Sequence, residues 1–308
     1  MIQNVILDCD PGIDDALAML LAFASDSIRV QAITLVGGNQ DLRETLTNAL
    51  QLMSFAGLRC EVAAGAQGPL MRKLVTAPEV HGEHGLGGQK LPPAAFTPSS
   101  STALEVMHRL LNENTDKTVL IATGPLTNLA VLFLAYPADK ERISYISLMG
   151  GACSGGNQSP ATEFNIYVDP EAAKIVFDSG VPIVMHGLDV TTKAFLTRDE
   201  IDRIRGLGTK TAVLTADLLD YYMIFHKQIG LDVVNMHDLC AVAYVTAPEL
   251  FSGQECHVDI ETRGDITCGC TVADFKGMTG KPENVKAMLG IDRQRFVEMF
   301  LNALKSYQ

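Results

Sequence analysis

The stretch "NVILDCDPGIDDALAMLLAFASDSIRVQAITLV", Asn4 to Val36, decides the fold class. Its first residues form a short apolar run that ends at Asp8. "DDALAMLLAFA" then has the length and the Ala/Leu content of a helix buried on all sides, and "VQAITLV" (Val30 to Val36) is a second apolar run of strand length. Strand, helix and strand in that order make one β-α-β unit, whose two strands lie parallel.

The unit repeats along the chain. A helix is expected from about Leu42 to Ala56, a strand near Cys60 to Ala63, a helix from Thr102 to Glu113, a strand "TVLIA" at 118 to 122 and a helix from Leu126 to Tyr136. A strand "ISYISLM" at 143 to 149, a helix opening at Asp169-Pro170 and a strand "PIVMHG" at 182 to 187 follow. Proline suits that first helical turn because its missing N–H has no partner there. Strands that are continuously apolar, rather than alternating, predict a mainly parallel sheet covered by helices on both faces. The last third adds three helices (about 197 to 206, 210 to 226 and 238 to 246), short Gly-punctuated strands between Cys256 and Phe275, and a closing helix from Asp292 to Leu304. No low-complexity linker or internal repeat interrupts this order, so the expectation is an α/β fold in a single domain over residues 1–308, with helical additions in the C-terminal third.

Composition narrows the function. With 308 residues, 47% of them hydrophobic, the chain can bury a large core. Its 24 Lys+Arg against 36 Asp+Glu give a formal charge of -12, which repels phosphate backbones and anionic lipid, so neither nucleic acid nor a membrane is an expected partner. The longest apolar run, Ala16 to Ala24, is far short of the ~20 residues of a spanning helix, and Asp8 and Asp10 interrupt any signal-peptide pattern. The seven scattered cysteines suit reduced, mostly buried thiols, and a cytoplasmic location is expected. Cys268 and Cys270 are the one close pair; with no second pair or His doublet nearby, they do not predict zinc.

The charge pattern inside the opening stretch needs an explanation. Asp8, Asp10, Asp14 and Asp15 lie within eight residues. Like charges ~4 Å apart repel by roughly 1 kcal/mol in water and by several at the effective dielectric of a protein surface. Asp14 and Asp15 alone are explained as acids at a helix start, favoured by the helix dipole, but Asp8 and Asp10 at the preceding strand end are not. In parallel sheets, ligands bind beyond the carboxyl ends of the strands. The residues there are Gly37-Gly38-Asn39, Thr123-Gly124-Pro125, Gly150-Gly151, Gly155-Gly156-Asn157 and "TEFN" at 162 to 165. Glycines let backbone approach a ligand, and the side chains delivered are Asp, Asn and one Glu, the all-oxygen set that hard divalent cations take. The "DxDxG" at Asp8 also matches the Mg²⁺-dependent haloacid-dehalogenase-like phosphatases, which would make Asp8 a nucleophile. The same stretch fails the spacing of a helix-loop-helix calcium loop, because Met19 stands at the twelfth position, where Glu is needed.

Taken in order, "DCDPGIDDA", "ATGPLTNLA", "MGGACSGGNQSPATEFNIYVDPEAA" and "MHDLCAVAY" resemble the calcium-dependent nucleoside hydrolases, over about residues 4 to 300. With "GKPENVKAMLGID", the tail looks closest to the bacterial ribonucleoside hydrolases that accept purine and pyrimidine nucleosides. The resemblance implies hydrolysis of the N-glycosidic bond of ribonucleosides to ribose and free base, in nucleoside salvage, with a pyrimidine preference as the alternative. It implies one Ca²⁺ per subunit on Asp10, Asp15, Asp238 and the Thr123 carbonyl, Asp14 as general base and His237 as the acid for the departing base. Asn39 and Asn165 would hold the ribose hydroxyls, Asn157 and Glu163 the 5'-hydroxyl, and Asp8 would support the loop from behind. His81 would lie near the base; His84 receives no role. Tyr222 and His226, on the helix expected over 217 to 230, either stack on the base or pack into the core. The Gly-rich "VHGEHGLGG" at 80 to 88 has the composition of a lid, and the family implies a homodimer or homotetramer.

Overall fold

The computed structural model describes residues 2–307. The chain runs β1 (Gln3–Cys9), α1 (Ile13–Ala24), β2 (Ile28–Leu35), α2 (Leu42–Ala56), β3 (Glu61–Ala64), α3 (Pro78–His81), α4 (Ala103–Glu113), β4 (Thr118–Ala122) and α5 (Thr127–Ala135). It continues through β5 (Ile143–Met149), α6 (Phe164–Val168), α7 (Pro170–Phe177), β6 (Ile183–His186), α8 (Leu188–Thr191), β7 (Phe195–Leu196) and α9 (Arg198–Arg205). α10 (Lys210–Gln228), β8 (Val234–Asn235), α11 (Leu239–Thr246), β9 (Phe251–Ile260), β10 (Thr271–Asp274), β11 (Val285–Ile291) and α12 (Arg293–Lys305) complete it.

Nine strands form one sheet in the order β10-β9-β11-β6-β5-β4-β1-β2-β3. From β3 across to β11 every neighbouring pair is parallel; β9 and β10 close one edge antiparallel. Parallel strands need crossover helices, and those helices divide the core in two. On one face α1, α2 and α9 to α12 pack over the sheet; on the other, α4, α5 and α7 do. α1 is buried from Ile13 to Ala22, which is why its sequence is Ala, Leu and Met on every side. Local chemistry sets the helix ends. Asp41 accepts from Glu44 N–H at 3.0 Å to start α2, and Gly57, at φ 73°, ends it. Thr102 and Glu105 form a reciprocal cap on α4.

Every strand and helix expected from β1 to β6 is present, within a residue or two at its ends. The one-turn helices α3 and α8 were not expected, and three further features differ. β11 was not expected: "VKAMLGI" pairs parallel with β6 and antiparallel with β9, so the strands of the last third join the main sheet rather than standing beside it. Its apolar run of Val285, Ala287, Met288, Leu289 and Ile291 is interrupted by Lys286 and Gly290, and its two neighbours supply the pairing. The short α6 replaces the loop expected at "TEFN", and β7 pairs with β8 in a separate two-stranded ribbon.

β1 is flanked by β2 on one side and β4 on the other, so the chain reverses direction across the sheet there, and a crevice opens beyond the carboxyl ends of those strands. α12 closes the α1 face with Phe296 and Phe300, each 1% exposed. Truncating Phe300 to Ala is expected to lower the unfolding free energy by about 3–5 kcal/mol, as measured by urea denaturation at pH 7.

Candidate active site

A cavity of about 660 Å³ opens at that crevice, lined by residues from the loops after β1, β2, β4 and β5 and from α10 and the start of α11. Asp14 sits in the first turn of α1 beside Asp15, where the helix N-terminus favours negative charge. Asp238 enters immediately before α11. One oxygen from each of Asp14, Asp15 and Asp238 lies within 4.8 Å of the others, the one such metal-capable group among the described residues.

Asp10 stands behind this trio. Its Oδ2 accepts from Asn39 N–H at 2.7 Å, and its Oδ1 is buried without a hydrogen-bond partner, as is Oδ1 of Asp14. Only glycine lets the neighbouring loops reach it: a Cβ on Gly38 would lie 2.0 Å from Asp10 Oδ2, and one on Gly124 would lie 2.5 Å from Oδ1. Asp15 is held on both oxygens, Oδ1 by Thr123 Oγ1 at 2.8 Å and Oδ2 by Gly12 N–H and Asn39 Nδ2, each at 3.1 Å. The Thr123 carbonyl accepts from Asn165 Nδ2 at 2.7 Å.

Burial and mutual repulsion make this arrangement unfavourable by itself. Burial, then the charge of Asp15, pushes the Asp14 carboxyl up to about 7. The same two causes in the same order raise Asp10 well above its ordinary range; Asp238 is raised by burial and then by Asp14, Asp15 and Asp10, and Asp15 by burial. No Lys or Arg lines the cavity to compensate. Clustered, buried carboxylate oxygens, two of them unpartnered, fit a hard divalent cation.

The asparagines are arranged alike. Asn39 and Asn165 spend Nδ2 on protein oxygens, Asn39 on Asp15 and the Asp10 carbonyl and Asn165 on the Thr123 and Met149 carbonyls. Their Oδ1 atoms have no protein donor among the described residues, and both side chains line the cavity. Asn157 does the reverse: Oδ1 accepts from Phe164 N–H at 2.9 Å, keeping its amide donors free. Glu163 caps α6, accepting from Asn165 and Ile166 N–H, and takes Gly151 N–H at 2.9 Å as well. Burial raises its carboxyl above the ordinary range.

Three histidines sit close by. His81 accepts Ile13 N–H on Nδ1 at 3.1 Å, 4.0 Å from Asp14 Oδ1. His237 shares a hydrogen bond with Thr191 Oγ1 at 2.8 Å, and His226 accepts Asn235 N–H on Nε2 at 3.1 Å. Burial, with lesser repulsion from neighbouring imidazoles, lowers His81 and His237 to about 3, and burial also lowers His226, so all three are neutral at pH 7. Tyr222 and His226 are both buried and both line the cavity, so packing and contact with a ligand are not exclusive for them. The Tyr222 hydroxyl lies 3.5 Å from Asp14 Oδ2.

Two residues were not singled out beforehand: Ile229 and Leu231, 56% and 36% exposed, form an apolar rim at the cavity mouth, while Phe225 both packs against the core on the α1 face and lines the cavity. Exposed isoleucine and leucine just past a helix end are the signal that was available. In the 80 to 88 segment, Gln40 Nε2 holds the Gly82 carbonyl at 2.9 Å and Asn48 Nδ2 the His84 carbonyl at 2.8 Å. The His84 side chain lies outside the cavity beside Glu44. Asp8 does not line the cavity; its Oδ1 accepts from Thr34 and Asn128, which removes the nucleophile role of the phosphatase reading. All seven cysteines are free, and no helix of the described residues is long and apolar enough to cross a membrane.

A family model described as "Inosine-uridine preferring nucleoside hydrolase" matches residues 5–298. The pyrimidine-specific ribonucleoside hydrolases RihA of Salmonella typhimurium and Escherichia coli are each 45% identical over 310 aligned positions, covering 100% of both chains. Among solved structures, the purine-preferring ribonucleoside hydrolase from Gardnerella vaginalis superposes with TM-score 0.93 at 30% identity, over 99% of this chain and 98% of that one. The plant nucleoside hydrolase PpNRh1 superposes with TM-score 0.94 at 29% identity, over 99% of each.

The carboxyl shifts carry a pH signature. Asp14 and Asp8 rise from 3.8 to about 7 on folding, so their ionisation opposes folding progressively as pH climbs through that window, and fully above it. A divalent cation bound there would replace the missing positive charge. An added divalent cation that binds the cluster, with Ca²⁺ as the probe, is therefore expected to raise Tm more at pH 8 than at pH 5.5 in scanning calorimetry; an equal increase at both would contradict the cluster as its seat.

Proposed function

The chain belongs to the inosine-uridine preferring nucleoside hydrolase family and is a ribonucleoside hydrolase, and from that premise we propose that it cleaves pyrimidine ribonucleosides with the help of one bound Ca²⁺. The observation that carries the metal part is the set of buried, crowded carboxylates at the switch point of the sheet, with partnerless oxygens on Asp10 and Asp14. Asp10, Asp15, Asp238 and the Thr123 carbonyl would hold the ion. When bound, it would supply the positive charge that acidifies an attacking water and grips the ribose 2'- and 3'-hydroxyls.

The residues of the chain would do the rest. Asp14, with an unpartnered oxygen and a carboxyl titrating near neutrality, takes the proton from the attacking water. The water oxygen bonds to the anomeric carbon as the C–N bond breaks and its electron pair leaves with the base. Positive charge then builds on the sugar, and the ring of carboxylates stabilises that state more than the ground state. Asn39 and Asn165 offer carbonyl oxygens to the ribose hydroxyls, while the free amide of Asn157 and the carboxylate of Glu163 take the 5'-hydroxyl. His237, neutral at pH 7, serves the departing base as a hydrogen-bond donor. His81, Tyr222 and His226 frame the base end together with Phe225.

Support for the pyrimidine preference comes from the relatives that are 45% identical and named for that specificity. Broad use of purines as well is the second reading, favoured by the roomy cavity and by the close superposition on a purine-preferring enzyme. We further propose residues 1–308 as one functional unit, acting in the cytoplasm as a homodimer or homotetramer; the free cysteines agree with a reducing compartment.

Incubation with uridine, cytidine, inosine and adenosine, with and without a chelator, and chromatography of the free base tests the reading. Uridine and cytidine should be consumed faster than inosine, and chelation should stop all four; chelator-resistant turnover would overturn the metal role. Asp14→Asn should lower kcat by about 10²–10⁴-fold while Ca²⁺ still binds, whereas Asp10→Ala should lose Ca²⁺ binding too. Equal, modest losses in both variants would contradict the division of labour.

A further inference from the structure

Behind the metal-capable cluster, on the side away from the cavity, one buried amide joins three strand ends. Asn128 is the second residue of α5 and is 5% exposed. Its Nδ2 donates to Asp8 Oδ1 at 2.8 Å and to the Leu35 carbonyl at 3.0 Å, and its Oδ1 accepts from Ala66 N–H at 2.8 Å. Both donors and the acceptor are thereby in use. Gly65 presses on the same amide: a Cβ there would lie 2.3 Å from Oδ1 and 2.5 Å from Nδ2.

Each contact leads to a loop that carries a site residue. Asp8 lies two residues before Asp10, and its carbonyl accepts Thr123 N–H at 2.9 Å, fixing the residue whose hydroxyl donates to Asp15. Leu35 ends β2, just before the loop that presents Asn39 to Asp10 and Asp15. Ala66 follows β3, and its carbonyl accepts Gly37 N–H at 2.9 Å in that same loop. The amide thus sets the relative height of the loops after β1, β2 and β3, and through the Asp8 backbone that of the loop after β4.

We infer that Asn128 is a positioning residue for the cation site, acting through Asp8 and the β2 loop to hold Asp10, Asn39 and Thr123 in binding geometry. This rests on the metal reading proposed above. An alternative hydrogen-bond partner for Asp8 is scarce: Oδ2 has none, and Thr34 Oγ1 is the one other donor to its side chain among the described residues, at 2.5 Å. Removing the amide leaves the Leu35 carbonyl, Ala66 N–H and a buried carboxylate each short of a bond in a region without room to rearrange.

Titration of Ca²⁺ alone into the full-length protein, followed by isothermal calorimetry well below the melting temperature, tests this. Asn128→Ala is expected to raise the Kd for Ca²⁺ by about 10–100-fold, the usual effect of losing a group that orients metal ligands. Asn128→Asp should do the same, because it sets a second carboxylate against Asp8. Exchanging the pair, Asp8→Asn with Asn128→Asp, restores a donor and an acceptor across the contact and should bind Ca²⁺ more tightly than Asn128→Asp alone. A role in stability only would lower Tm and leave Kd unmoved. Folded single variants with wild-type Kd, or an exchange that recovers nothing, would overturn the inference. Wild-type protein that binds no Ca²⁺ would instead overturn the metal reading itself. Should Asn128→Ala fail to fold, Asn128→Gln keeps both functional groups, displaced by one methylene, and the same rise in Kd is expected.

Discussion

Four carboxylates buried within reach of one another are the constraint on which this molecule is organised. Asp10, Asp14, Asp15 and Asp238 are each 5% exposed or less, and among the described residues no Lys or Arg lines the adjoining cavity. Bringing them together costs desolvation and repulsion at once, and only a surrounding structure that leaves the carboxylates nowhere else to go can impose it. The helix start of α1 offsets part of the cost, as do the hydroxyl and amide donors on Asp15.

The sheet supplies the rest. Parallel strands end on a common edge, and the reversal of strand order beside β1 opens a crevice between the loops after β1, β2 and β4. Packed helices on both faces hold those strand ends rigidly, so loops that would be mobile by themselves become fixed walls. Gly38 and Gly124 then let the backbone close to within contact of Asp10, and Asn39 and Asn165 stitch the loops to one another. The same constraint ties stability to function. A pocket that disfavours its own ionisation when alone is one that stabilises a cation, whether a metal or a sugar acquiring positive charge.

Much of this was legible beforehand, for identifiable reasons. α1 and β2 follow from unbroken apolar runs of distinct length, and α7 from an Asp-Pro start; such signals are local and survive without knowledge of the partner. Asn39 and Asn157 each follow a Gly-Gly pair, a pattern that also suits a plain turn, and it was their convergence with the carboxylates beyond the strand ends that marked a ligand site. β11 escaped notice because its "VKAMLGI" becomes a strand only between β6 and β9. α6 escaped because its cap, Glu163, is held jointly by Gly151 from a distant loop. Ile229 and Leu231 escaped because helical spacing tells which residues share a face and not what lies beyond the helix end.

By itself, then, the sequence determined the order of strands and helices, the parallel sheet, the acidic character of the site and the family to which the chain belongs. These follow from periodicity, composition and motif, all of which act over a few residues or a turn of helix. The resemblance had already placed Asp238 with Asp15 and Asp8 behind the loop; only the tertiary structure decided that Asp14 lies within the same cluster, that burial lowers the pKa of three histidines and that Asn128 binds the ends of β1 and β2 and the residue just past β3. Each of those depends on burial and on contacts between residues remote in the chain, which arise when layers pack and leave no mark on neighbouring residues.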